Sequence, residues 1–189
     1  MSSKGRKDKA RYRSKLRKQQ LGAAAKEADA EKEAEIIEGS ADRLQQELIK
    51  TSGEKDQKVV RDERLEKMSD ILLDYGKPII GTIGSSDKAE YENAIKICMV
   101  FWNCAIMEES PKMRKELKKM LRPVMPDAES KSVVEYMLER KRQMYPNNKR
   151  LMMNYELADL PGGGFYLSVA STLDEETAKE YTENSQNMT

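Results

Sequence analysis

The chain has 189 residues, of which 35% are charged and 38% apolar, so a compact core can cover only part of its length. Histidine is absent, which removes the most common metal ligand and general base, and we expect no metal, no cofactor and no enzymatic activity. The longest apolar run, residues 97–102, is too short to span a bilayer, and the N-terminus has no signal-peptide core. These features predict a cytoplasmic protein, with a basic transit peptide as the less favoured alternative.

Charged side chains are segregated into four blocks along the chain. Residues 1–20 carry a net charge of +8, residues 21–110 carry −8, residues 111–150 carry +7 and residues 151–189 carry −6. Basic segments attract polyanions, and acidic segments repel them. The pattern therefore favours an interaction protein, and an enzyme that works through carboxylates alone is a third possibility.

Residues 1–22 have too few apolar side chains to fold alone, and they are predicted to form a flexible basic arm. We expect this arm to contact nucleic acid or a ribonucleoprotein, and the protein's own acidic segment is the competing target. The candidate contact residues in the arm are Lys4, Arg6, Lys7, Lys9, Arg11, Arg13, Lys15, Arg17 and Lys18.

Residues 23–51 are rich in strong helix formers and are predicted to form one long amphipathic helix. Their apolar positions follow the spacing of a heptad seam, which consists of Ala30, Ala34, Ile37, Ala41, Leu44 and Leu48. Because alanine occupies half of the seam, we favour a helix that packs on the protein's own body. If the seam faces another chain instead, the protein is an adaptor or assembly factor that binds its partner through residues 30–48.

Residues 54–173 are predicted to form a helical body with a C-terminal β-hairpin, which makes the fold class mainly α. A first helix covers about residues 57–75 and is expected to end at Gly76 and Pro78. The most apolar helix follows at residues 87–109, with Asp87 as its N-cap and Trp102 near its centre. Since this helix is apolar on nearly all sides, we expect the other helices to surround it.

A basic helix is predicted to begin at Ser110 and to end before Pro123. Four of its cations lie on one face, the basic ridge, and are further candidates for nucleic-acid contact: Lys112, Lys115, Lys119 and Arg122. Basic residues at 140–142 and 149–150 extend this ridge if the next helix packs alongside. The alternative, which is favoured for this patch, is the ordinary solvated face of an amphipathic helix.

The last predicted helix covers residues 127–145 and stops at Pro146, with Val134, Met137, Leu138 and Met144 facing inward. Residues 151–157 and 165–171 are predicted to form the β-hairpin, and residues 79–80 are a candidate third strand. Residues 174–189 are predicted to be an acidic tail.

Neither the cysteines nor the glycine runs form a convincing chemical motif. Cys98 and Cys104 would lie roughly 9 Å apart along a helix, too far for a disulfide, so two buried thiols are expected. The glycines at 81–84 and at 162–164 match phosphate-binding loops poorly, and ordinary turns explain them better.

Four short segments resemble a known family: residues 71–80, residues 101–103, residues 139–146 and Tyr155 together with residues 168–171. They are similar to poorly characterised bacterial helical proteins that often carry a SEC-C zinc motif at one end. The resemblance covers about residues 65–172. Because the cysteines and histidine of that motif are missing here, the resemblance implies no zinc site, and it implies no established activity.

Overall fold

Helices make up most of the chain that the computed structural model describes, which comprises residues 26–52, 59, 65–83, 87–108, 110, 117, 121, 127–173 and 177–179. Residues 26–38 form helix α1, and the helices that follow are α2 (Ser40–Ser52), α3 (Met68–Ile80), α4 (Lys88–Met107) and α5 (Ala128–Met144). Strands β1 (Met152–Asp159) and β2 (Phe165–Ser171) form an antiparallel hairpin. The predicted mainly α fold with a C-terminal hairpin is thus confirmed.

Helices α4 and α5 begin where the sequence predicts, because an aspartate caps each of them. The Asp87 side chain accepts a hydrogen bond from the amide of Glu90 at 3.1 Å. The Asp127 side chain accepts one from the amide of Ser130 at 2.8 Å, and these bonds hold the pKa of Asp127 below its ordinary value. Local sequence therefore fixes both helix starts.

Helix α3 continues through Gly76 and Pro78, so the predicted end of this helix is wrong. Pro78 has no amide hydrogen, which leaves the Asp74 carbonyl without its usual helical donor. The Arg140 guanidinium of α5 donates to that carbonyl at 2.9 Å and replaces the missing bond. At Gly76 an added Cβ would lie 2.9 Å from the Cys98 sulfur, so glycine permits the close approach of α3 to α4. Tertiary contacts override both stop signals.

The main core surrounds α4, as predicted. Trp102 is fully buried, its ring packs edge-on against Tyr75 with centroids 5.3 Å apart, and its indole N–H donates to the Arg150 carbonyl at 2.9 Å. Leu117 and Leu121, two described positions within the predicted basic helix, are helical and buried in the same core. Helix α3, helix α5, the helical residues Leu117 and Leu121, and one face of the hairpin thus pack around α4.

Two predictions are wrong, one about the inward face of α5 and one about a third strand. Met144 is 43% exposed, because it lies at the last position of α5, beyond the buried residues Val134, Met137 and Leu138. Residues 79–80 lie in α3 and form no strand, so the sheet in the described part of the chain has two strands. Two hydrogen bonds connect that sheet to α4 instead. The Asn103 side-chain amide donates to the Met152 carbonyl, and the Asn103 side-chain oxygen accepts from the Met152 amide.

The two faces of the hairpin contact different parts of the protein. Side chains on a strand alternate between faces, and Leu167 and its neighbours at 165 and 169 join the main core. Tyr166, Ser168 and Ala170 lie on the other face of β2, towards α2. At the hairpin tip Gly163 and Gly164 adopt positive φ angles of 90° and 85°, which confirms that the glycine run serves a turn.

Helices α1 and α2 follow one another with a single turn residue, Gly39, between them. The amide of Gly39 still donates to the Glu35 carbonyl at 3.0 Å, so the helical path is nearly continuous. Leu44 and Leu48 are buried and form a second, small apolar cluster with Ala170 of β2. The seam therefore divides in two, because its C-terminal half packs on the hairpin while the N-terminal half, at residues 30 and 34, is exposed.

Candidate functional site

Both predicted sets of nucleic-acid contacts lie outside the described residues. This holds for the nine cations of residues 1–20 and for the four cations of the basic ridge, so their role stays a prediction. The structure does place the basic residues at 140–142 and 149–150, which extend the ridge only if they face solvent.

Lys141 is buried rather than part of a charged surface. It is only 2% exposed, and its ammonium donates to the carbonyls of Tyr145 at 2.8 Å and Asn148 at 2.7 Å. The same ammonium lies 5.0 Å from the centroid of the Trp102 ring, within the range of a cation–π interaction. Lys141 therefore fastens the turn after α5 onto the core helix.

Two neighbouring arginines also bind the protein's own backbone. The Arg150 guanidinium donates to the Glu66 carbonyl at 3.0 Å, to the Thr172 carbonyl at 3.3 Å and to the Ser171 hydroxyl at 2.8 Å. Arg140 holds the carbonyls of α3, as described above. These side chains stabilise the fold, so buried Lys141 cannot extend the basic ridge, and the conditional extension through the other cations stays a prediction because the ridge lies outside the described residues.

The two cysteine thiols and the Tyr145 hydroxyl of the core are protonated at neutral pH. Burial raises the pKa of Cys98 to about 12 and that of Cys104 to about 11, and both thiols are free. Burial and the bond to Asp74 raise the pKa of Tyr145 to about 12, and its hydroxyl donates to the Asp74 carboxylate at 2.6 Å. These groups are poor nucleophiles and bases at neutral pH. Within the described ranges, no group of three His, Cys, Asp or Glu could hold a metal ion.

Helix α1 presents a continuous acidic face. Spacings of four, four and three residues place four exposed glutamates on one side, which we call the acidic ridge: Glu27, Glu31, Glu35 and Glu38. None of the four makes an ion pair in the described part of the chain. Two of their i,i+4 pairs are like-charged, which destabilises an exposed helix. A cationic partner would relieve this repulsion.

A groove of about 780 Å³ lies between α2 and the hairpin face that carries Tyr166, Ser168 and Ala170. Its other walls are largely apolar and include Leu44, Leu48, Val59, Leu65, Met153 and Val169. We call this cavity the hairpin groove. Within the described residues, α2 contacts the hairpin through the Leu44 and Leu48 side chains and the Arg43–Glu156 ion pair, and the space beside these contacts is unfilled.

Two polar atoms on this hairpin face lack hydrogen-bond partners. The Glu156 carboxylate pairs with Arg43 of α2 through Oε1, but its Oε2 atom is buried and unpartnered. Ser168 lies directly opposite Glu156 in the strand register, is 8% exposed and lines the groove. Its hydroxyl makes no hydrogen bond with a described residue. Glu156 Oε2 is fully buried, and such unpartnered buried groups are uncommon in folded proteins, whereas the unpartnered Ser168 oxygen remains accessible.

The alternation of side chains along β2 is a sequence signal for this surface. Residues 166, 168 and 170 interleave polar or small side chains with the large apolar ones at 165, 167 and 169. Period-2 alternation of this kind predicts that the two hairpin faces meet different surroundings. The groove itself depends on the placement of α2, which no local pattern encodes.

Comparison of the chain with protein-family models, with curated proteins and with solved structures finds no match. The resemblance to helical proteins that carry a SEC-C motif therefore stays a prediction. Across the described ranges, none of the helices combines the length and the apolar composition that a bilayer span requires.

Proposed function

We propose that the protein is a cytoplasmic, non-enzymatic binding protein whose basic arm contacts nucleic acid or a ribonucleoprotein. The observation that carries this proposal is the charge of residues 1–20, which contain nine Lys or Arg and a single Asp. Phosphate backbones bind such segments mainly through electrostatic attraction and counterion release, without a preformed pocket.

The structure of the body supports placing the contact in the arm first and in the basic ridge second. Arg140, Lys141 and Arg150 donate to carbonyl groups of their own chain, so these cations serve the fold. The hairpin and tail, residues 151–189, carry a net charge of −6 and would repel a polyanion.

The acidic ridge of α1 is the natural intramolecular competitor for the arm. Every odd position from 7 to 17 is basic, so an extended arm would present these six cations on one side, repeating about every 6.6 Å. The glutamates of the ridge repeat about every 6 Å along the helix. The two charge patterns match, and the affinity for a polyanion then reflects competition between the ridge and the phosphates.

The direct test measures the binding of a fluorescently labelled RNA hairpin by anisotropy at several salt concentrations. Deleting residues 1–20 should weaken binding at least tenfold and flatten the dependence of log K on log salt, because fewer counterions are released. Charge reversal at Lys112, Lys115, Lys119 and Arg122 should do less. Unchanged affinity of the truncated protein would refute the role of the arm.

A second variant tests the competition. Changing Glu27, Glu31, Glu35 and Glu38 to Gln should raise the affinity for RNA, because the arm loses its internal partner. The matched control carries the same four substitutions at exposed carboxylates elsewhere: Glu90, Glu129, Glu135 and Glu139. Equal gains in both variants would mean that net charge alone matters and that the ridge has no special role.

The adaptor function has less support. Its seam would need Leu44 and Leu48 to face a partner, yet both side chains are buried against Ala170 of the same chain. The rest of the seam offers little apolar area for association, since Ala30 and Ala34 are exposed alanines and Ile37 and Ala41 are half-buried.

A further inference from the structure

The hairpin groove combines apolar walls with polar atoms that have no partner among the residues that the structure describes. Ser168 is the strongest of these, since 92% of its surface is buried, its hydroxyl has no hydrogen bond with a described residue, and it lines the groove. The Tyr166 hydroxyl, two residues away on the same face, likewise has no partner in the described part of the chain. A ligand that supplies the missing hydrogen bonds would be bound preferentially here.

Glu156 is a neighbour of this polar patch that does not itself line the groove. Its buried Oε2 atom lies across the strand pair from Ser168, on the same face of the hairpin. A ligand hydroxyl that donates to the Ser168 oxygen would satisfy one unpartnered group of the groove, and it would accept a bond from the Tyr166 hydroxyl in return.

The size of the groove favours a small molecule over a folded partner. Its volume of about 780 Å³ falls within the range of roughly 300–1,000 Å³ that is typical of small-molecule sites. A stable protein–protein interface needs about 800 Å² from each partner, and a concave space between a helix and a hairpin does not offer such a surface.

The charges around the groove favour a neutral ligand. The Glu156 carboxylate is already paired with Arg43, and Arg150 is bonded to Glu66, Ser171 and Thr172. At the rim Glu66 and Lys67 carry opposite charges side by side. A charged head group would meet no matching excess charge in these walls, whereas a hydroxyl or amide would meet hydrogen-bonding partners.

We propose that the hairpin groove is a binding site for a neutral amphiphilic small molecule. Its aliphatic body lies against Leu44, Leu48, Val59 and Leu65, and its hydroxyl or amide head bonds Ser168 and Tyr166. The site is separate from the basic arm, so it adds a small-molecule function to the proposed binding of polyanions. Occupancy would also fill the space beside α2 and stabilise its contact with the hairpin.

Three probes with the same ten-carbon chain test the proposal by calorimetric titration of the full-length protein: 1-decanol, decanoate and decylamine. We expect 1-decanol to bind at one site and to bind at least tenfold more tightly than either charged probe. Absence of decanol binding would refute the site, and a preference for a charged probe would overturn the neutral-ligand assignment.

Variants locate the binding event. Ser168→Ala and Tyr166→Phe should each weaken the binding of 1-decanol at least tenfold, and Val59→Trp should abolish it by filling the groove. Tyr136→Phe is the matched control, because Tyr136 is 54% exposed on α5 and lies outside the groove lining. If Tyr166→Phe folds normally by circular dichroism and binds decanol like the wild type, the proposal is wrong.

Discussion

The two faces of the hairpin differ in how completely their neighbours bury and pair them. On one face Leu167 joins a core in which Trp102 is fully buried and its indole N–H is hydrogen-bonded. On the other face only Leu44 and Leu48 of α2 provide large apolar contacts, and Glu156 Oε2 is left without a partner. The same two strands thus support a closed, satisfied core on one side and an open, incompletely paired cavity on the other.

The comparison separates scaffold from adaptable surface. A dense core with paired polar groups tolerates little change, because each lost contact leaves a void or an orphan atom. A region held by a few side chains can open at low cost, which suits ligand entry and partner exchange. The acidic ridge and the hairpin groove therefore belong to the α1–α2 side, whereas the α3–α5 side provides most of the stability.

The largest effect is expected at Trp102 in the closed core. Trp102→Ala should lower the free energy of unfolding by about 3–5 kcal/mol, because it creates a cavity and removes the aromatic partner of buried Lys141. Urea unfolding followed by circular dichroism measures the change, because the substitution removes the only tryptophan of the chain and with it the tryptophan fluorescence signal. Trp102→Phe keeps part of the ring and serves as the milder control. A loss below about 1 kcal/mol for the alanine variant would show that this core is not close-packed.

An intermediate effect is expected at Leu44 on the open side. Leu44→Asp places a charge in the small cluster with Leu48 and Ala170, and it should cost about 2–3 kcal/mol. We expect a lower melting temperature at unchanged mass by light scattering. Ala34→Asp, the matched change on the exposed half of the seam, should shift stability by less than about 0.5 kcal/mol. A dimeric wild type that Leu44→Asp converts to a folded monomer would instead support the adaptor function.

The smallest effect concerns alkaline pH. Burial raises the pKa of Cys98 to about 12 and that of Cys104 to about 11 in the folded protein. The unfolded chain therefore loses these protons at a lower pH than the folded protein does. The associated stability is fully present below pH 9 and is lost as pH rises from 9 towards 12. Melting temperatures at pH 7, 9 and 10 should fall, and less steeply in Cys98→Ala. An identical slope in that variant would assign the alkaline loss to other groups.

Local sequence was enough to predict the starts of α4 and α5 and the hairpin. Asp87 and Asp127 cap their helices through bonds to residues three positions later, and Gly163 and Gly164 supply the positive φ angles of the turn. The end of α3 could not be predicted in this way. There the missing donor of Pro78 is replaced by Arg140, which lies 62 residues further along the chain.

The candidate sites divide in the same manner. The charge of the arm and the spacing of the acidic ridge can be read directly from residues 1–38. The hairpin groove depends on where α2 packs and on the register that places Glu156 opposite Ser168, and both are long-range outcomes. The burial of Lys141 was equally hidden, because its partners are carbonyl oxygens and an aromatic ring.

Native-state hydrogen exchange on the intact chain tests most directly whether the two sides of the hairpin differ as described. The amides of α4 should exchange only through global unfolding, because that helix is enclosed by the main core. The amides of α2 should exchange through local opening, with a free energy lower by roughly 2 kcal/mol or more. Equal protection of α2 and α4 would contradict the division into a closed scaffold and an adaptable side.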